Sequence, residues 1–260
     1  MIDASALATL LLVYFLFSLR FAGLLFSAPP FVAVSIPMQL RFFFAFMLGL
    51  IALPGGIEAP ALTLLQSPLG ILLVCFKEFM VGMGLGFLSA LPLYALQTGG
   101  RVIGMQMGFG MVNIMDPMSQ AQVPIMGQFS FIVGMWFFFF WDGHLLLTQA
   151  VRESLKLIPL GSPFFWFRDD PNLGTWLQHL FVVSMRMVLP FFGTLLLADV
   201  GLGFVARTVP QMNVFVLGLP LKVGLGFFLL IVVLPLMVDL LHSEISKALL
   251  FGLEKMALWR

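Results

Sequence analysis

The chain has 260 residues, 61% of them hydrophobic and only 10% charged, with a mean hydropathy of +1.08. A soluble domain carries about 25% charged residues, because a water-facing surface needs them; this composition excludes one and predicts a single all-α integral membrane unit. The formal charge of +1 leaves no electrostatic footprint for nucleic acid, and a lone cysteine, Cys75, excludes an intrachain disulfide.

A helix needs about 20 apolar residues to cross a bilayer core. About six stretches approach that length: 5–28, 36–53, 69–98, 124–141, 176–206 and 211–241. The first lacks a basic start and carries Asp3, so a retained span is expected rather than a cleaved signal peptide. Residues 29–35 open with Pro29-Pro30 and predict a tight turn. The second stretch is short and holds Arg41 near its start. Residues 54–68 are Pro/Gly-rich and nearly uncharged, and read as a connection. The fourth stretch has no charge at all. Most hydrophilic residues fall in 142–175, including Arg152, Glu153, Lys156, Arg168, Asp169 and Asp170. The tail, 242–260, alternates apolar and basic residues and predicts an interfacial helix. With six crossings, both termini share a side with 142–175 and its basic residues, which favours the cytoplasm.

The apolar segments are interrupted. Pro92, Pro190, Pro220 and Pro235 each remove a backbone donor, and in lipid the freed groups need protein or a wet cavity; kinked helices in lipid are the simpler alternative. Arg20, Lys77, Glu78, Arg186, Asp199, Lys222 and Asp239 lie within the segments. A mid-bilayer charge costs at least ~2.5–3.5 kcal/mol, so these side chains are expected to pair across helices, face water, or lie between subunits. Lys77 and Glu78 diverge by about 100° on a helix, which predicts a different partner for each. Gly82, Gly84 and Gly86, and then Gly100, Gly104 and Gly108, suit close helix approach. Methionines crowd one region at Met105, Met107, Met111, Met115 and Met118; they fit a surface that seals and re-packs, or ordinary core filling.

Enzyme signatures are missing. There is no GxxxxGK[ST] loop, no HExxH and no GxSxG. His144, His179 and His242 sit in separate segments, which argues against a zinc site. Asp199 and Asp239 lack the motif of an intramembrane aspartyl dyad. The expectation is a non-enzyme without cofactor or metal. A small-molecule secondary transporter is a second reading, since such proteins also have broken helices and midplane charges, but the two halves show no matching broken segments.

Arg207-Thr-Val-Pro-Gln-Met-Asn-Val-Phe-Val-Leu-Gly-Leu-Pro-Leu-Lys222 resembles the signature of the FliR family of flagellar biosynthesis proteins. A second match runs Gln106-Met-Gly-Phe-Gly-Met-Val-Asn-Ile-Met-Asp-Pro117, followed by Gln122, Pro124 and Asp142-Gly-His144. Length and segment order fit throughout. Injectisome relatives share the Asn-Val-Phe and Pro-x-Lys elements more loosely, and Leu-Gly-Leu-Pro favours the flagellar branch. The resemblance implies a core subunit of the type III protein-export gate in the bacterial inner membrane at the flagellar base. That gate passes unfolded substrates and is built with FliP-like and FliQ-like subunits beside FlhB-like and FlhA-like proteins. It also implies a FliP-like part, about 1–175, and a FliQ-like helical hairpin with tail, about 176–260. A plug loop maps to 104–123, with Met105, Met107, Phe109, Met111 and Ile114 sealing the pore and Asn113, Asp116 and Pro117 shaping the plug. Arg207, Pro210, Gln211, Asn213, Phe215, Pro220 and Lys222 are implied to face neighbouring subunits.

Overall fold

The computed structural model describes residues 4–32, 36–52, 67–110, 124–162, 172–209, 211 and 213–258. Among these, the regular structure is helical: α1 Ala4–Ser27, α2 Pro29–Val32, α3 Met38–Ala52, α4 Pro68–Gln106, α5 Ile125–Phe140, α6 Gly143–Leu157, α7 Asn172–Thr208 and α8 Val214–Leu258. A helix satisfies its backbone within one segment, as a hydrocarbon environment demands. The ends are set locally. Pro29 opens α2, where its missing N–H costs nothing, and Ala28 O accepts from Phe31 and Val32 at 3.1 and 3.2 Å. Ser67 caps α4, its hydroxyl accepting from Gly70 N at 3.0 Å. Between α5 and α6, Asp142 takes a left-handed φ of 55°, a region that Asp tolerates better than most residues.

Among the described residues, four helices or parts of helices are long and apolar enough to cross a membrane: Leu10–Ser27, Pro68–Gln106, Gln178–Thr208 and Val216–Ala257. The bent pair α5–α6 makes five if it counts as one span. The expected count of about six is not confirmed among the described residues: the described part of the second stretch, α3, has 15 residues, about 22 Å of helix against a core of about 30 Å. Two further expectations change. Residues 142–175 are not only a connection, since α6 occupies Gly143–Leu157; and the tail is no separate interfacial helix, since α8 continues without a break to Leu258. Pro92, Pro190, Pro220 and Pro235 all sit inside continuous helices.

The chain divides into two compact units. The first comprises 1–91, 138–170 and 244–260. Its core is built on α1, whose Leu16, Phe17, Phe21, Leu24 and Leu25 are buried, with Val81 and Leu85 of α4 and Leu147 and Val151 of α6 also buried. The backbones of α1 and α4 touch through glycines from both sides. A Cβ on Gly82 would lie 2.7 Å from Arg20 C and 3.0 Å from Leu24 N, and one on Gly23 would lie 2.7 Å from Met83 N. Ser27 Oγ donates across to Met83 O at 2.9 Å. Tyr14 OH donates to Phe46 O of α3 at 2.6 Å.

The second unit comprises 92–137 and 171–243. Leu93, Leu96 and Ile103 of α4, Met126 of α5, Val183, Met187, Phe191 and Leu195 of α7, and Met237 and Leu241 of α8 are buried. Gly100 and Gly104 receive α5, a Cβ there falling 2.8 Å from Ser130 Cβ and 2.9 Å from Met126 Cβ respectively. Ser184 Oγ on α7 donates to Ala95 O on α4 at 3.0 Å. Large apolar side chains remain exposed along α7 and α8, among them Phe181, Leu189, Leu197, Phe204, Phe228 and Ile231.

Candidate functional site

The first unit holds a buried charge cluster. Arg20 on α1 donates from Nε and Nη2 to Glu78 Oε2 at 2.8 and 2.5 Å. Its Nη1 reaches Ser154 Oγ at 2.8 Å, and Nη2 also reaches Ile158 O at 3.0 Å. Lys77 Nζ lies 3.1 Å from Glu78 Oε1, an ion-pair contact without hydrogen-bond geometry. It donates to Ser162 Oγ at 2.8 Å, Ser162 O at 3.1 Å and Pro159 O at 3.3 Å. Arg20 and Glu78 have no exposed side-chain surface. Lys77 and Glu78 thus take different hydrogen-bond partners, as their divergence on the helix predicts: the Ser162 and Pro159 oxygens for Lys77, and Arg20 for Glu78. They also meet each other as an ion pair, so that the two carboxylate oxygens divide between the two cations. Two cations against one carboxylate leave the cluster short of negative charge. The remainder comes from carbonyls at the end of α6 and just beyond it, where the helix dipole is negative. Those carbonyls had no marker in the sequence; only the three charged side chains stood out.

In the second unit, Lys222 Nζ on α8 meets Asp199 Oδ1 on α7 at 2.5 Å, both side chains being partly exposed. Arg186 and Asp239 are different. Both are exposed on their helices, and neither makes an ion pair or hydrogen bond among the described residues.

α4 ends in a two-bond cap that launches the proposed plug region. Phe109 N donates to Gly104 O at 3.0 Å and Gly108 N to Met105 O at 3.1 Å, with Gly108 at a φ of 94°. This 6→1 and 5→2 pairing closes a helix through a left-handed residue, and glycine is the residue that adopts it without strain. Met107 is fully buried, and Met105 is exposed. Gly226 of α8 leaves the room for Met107, since a Cβ there would come within 2.5–2.6 Å of the Met107 side chain. Phe109 is half-buried. Met111, Asn113, Ile114, Asp116 and Pro117 lie outside the described residues. So do Pro210 and the side chain of Phe215. Arg207 sits exposed in the last turn of α7, where a cation suits the helix dipole. Gln211 and Asn213 are exposed; Asn213 O accepts from Val216 N at 3.0 Å as α8 starts, and Pro220 lies within α8.

Glu244 was not singled out in the sequence. It is buried, with Oε1 2.8 Å from Lys247 Nζ in the part of α8 that belongs to the first unit. An acidic residue followed three positions later by Lys247, one helical turn on, was the available signal.

These features define a polytopic α-helical membrane protein whose buried polar groups fasten helices to one another. Its sequence places it more closely. The chain belongs to the bacterial export proteins, family 1, whose family model matches residues 11–248. It is 32% identical to the flagellar biosynthetic protein FliR of Bacillus subtilis over 236 residues, 90% of each chain. It is 26% identical to FliR of Escherichia coli over 91% of each chain. It is also 26% identical to the Yop proteins translocation protein T of Yersinia pestis, over 78% of this chain and 74% of that one.

Proposed function

We propose that this chain is a core subunit of the flagellar type III protein-export gate in the bacterial inner membrane. With FliP-like and FliQ-like subunits it forms the pore through which unfolded flagellar substrates pass, next to FlhB-like and FlhA-like proteins and membrane lipid. The observation that carries this reading is the family match from 11 to 248 together with flagellar relatives aligned over nine tenths of their length. The structure supports it in two ways. The exposed apolar surface of α7 and α8 suits burial against other subunits. The capped end of α4, with Met107 anchored in the core, gives the 104–123 plug region a firm base. The chain acts without catalysis, and energy for transport comes from elsewhere in the apparatus.

The test is affinity purification from the native membrane followed by the mass of the intact complex. One copy of this chain with several copies of two other small hydrophobic proteins is the expected result. A lone monomer or a symmetric homodimer would overturn it and favour a small-molecule transporter.

A further inference from the structure

Five of the seven charges within the apolar segments are answered inside the chain: Arg20, Lys77 and Glu78 together, and Asp199 with Lys222. Arg186 and Asp239 find no ion-pair or hydrogen-bond partner among the described residues. Arg186 is the fifteenth residue of α7, about 21 Å from the start of that helix and about 33 Å from its end. Its exposed neighbours on this face are apolar: Val182 one turn before it and Leu189 one turn after it. The same face continues through Gly193, Leu196 and Val200, all exposed. These positions fall within an arc of about 80° of Arg186 at 100° per residue. Gly193 has nothing within 4 Å of where its Cβ would be, so this face has open room at its middle. A small residue on an apolar helix admits the backbone of a second helix, whereas lipid tails gain nothing from it.

Two occupants could answer the guanidinium: a phosphate headgroup or a protein carboxylate. Asp239 helps decide between them. It lies in the same unit, exposed and without an ion-pair or hydrogen-bond partner among the described residues, and a phosphate would not answer its negative charge. Protein that supplies both signs of charge accounts for both residues.

We propose that the α7 face bearing Arg186, Leu189, Gly193, Leu196 and Val200 seats an apolar helix of another subunit, and that this helix presents an Asp or Glu to Arg186. The proposal rests on the reading of the chain as part of a larger assembly, and it names the chemistry of one partner at one face.

The experiment uses the full chain in its native complex, with p-benzoylphenylalanine replacing Leu189, one turn from Arg186. Irradiation should join the chain to a single protein segment, apolar and containing a carboxylate. Arg186→Glu should lower co-purification of that protein at least about tenfold, since like charges at a desolvated contact cost several kcal/mol. Exchange of the partner's carboxylate for Arg should restore it, and Arg186→Lys should retain most of it. An adduct with lipid alone in an intact complex overturns the proposal and leaves the export-gate reading standing. An adduct to a segment without a carboxylate, or full co-purification of the Arg186→Glu chain, also overturns it. Should Arg186→Glu fail to accumulate, the Leu189 adduct decides alone. If the unaltered chain co-purifies with no other protein, the export-gate reading itself fails, a result distinct from the others.

Discussion

Arg20 and Glu78 stand 58 residues apart in sequence yet join through two hydrogen bonds of 2.8 and 2.5 Å, with neither side chain exposed. The pair stabilises the fold only as a unit. Removing one member of a buried pair costs ~3–5 kcal/mol, because the other is left without its counter-charge. Glu78→Met should therefore sharply lower the thermal stability of the detergent-purified chain, and Arg20→Met should do the same. Combined, they should cost clearly less than their sum, as a double-mutant cycle read by thermal unfolding would show. Additive losses would mean that the pair carries no coupling.

The glycines separate into filled and open positions. At Gly82 an added methyl meets the α1 backbone, which cannot move aside as a side-chain tip can. Gly82→Ala should destabilise the chain by about 1–3 kcal/mol. Gly224, by contrast, has nothing within 4 Å, and Gly224→Ala should leave the isolated chain as stable or slightly more so, since alanine favours helix. Thermal unfolding of the two variants side by side tests the contrast.

Met105 and Met107 are neighbours with opposite roles. Met107→Ala opens a cavity beside Gly226 and should cost about 2–5 kcal/mol. Met105→Ala removes an exposed side chain and should fall within about 0.5 kcal/mol of the unaltered chain. A deletion meant to test the plug should accordingly spare Met107. Removing 111–116 should leave the complex assembled while its ion conductance in proteoliposomes rises; unchanged tightness would refute the sealing role.

Lys222 and Asp199 form a half-exposed bridge, and such bridges contribute about 0–1 kcal/mol. Lys222→Ala should barely change the stability of the isolated chain. If its exposed surface also faces a neighbour, the same variant should lower co-purification of other gate subunits. Normal recovery of the complex would remove Lys222 from that interface.

Much of this architecture was legible from hydropathy, which located the long helices and most of the charges buried within them, Glu244 excepted. Helix count was harder. Composition marked 36–53 as apolar, yet Pro37 and the end at Ala52 hold α3 to a length that falls short of a bilayer. Polar residues between 142 and 175 masked α6, although Leu147, Ala150, Val151 and Ser154 already recur at helical spacing and form its buried face. The charge cluster was half visible. Arg20, Lys77 and Glu78 were conspicuous, but main-chain acceptors at Ile158, Pro159 and Ser162 have no side-chain signature, and only the folded chain brings them to the cations. Nor does an isolated sequence distinguish Asp199, which finds Lys222, from Asp239, which finds no ion-pair or hydrogen-bond partner among the described residues.

The wiring of Arg20 has a consequence for synthesis. Its last acceptor, Ile158 O, lies 138 residues downstream. At about 5–20 residues per second, a ribosome needs roughly 7–28 s to deliver it. For that interval α1 is already long enough to enter the bilayer, yet its guanidinium lacks the groups that later surround it. Until then the helix carries a guanidinium whose cost at mid-bilayer, ~2.5–3.5 kcal/mol, is relieved in stages, first by Glu78 and last by a carbonyl made after more than half the chain.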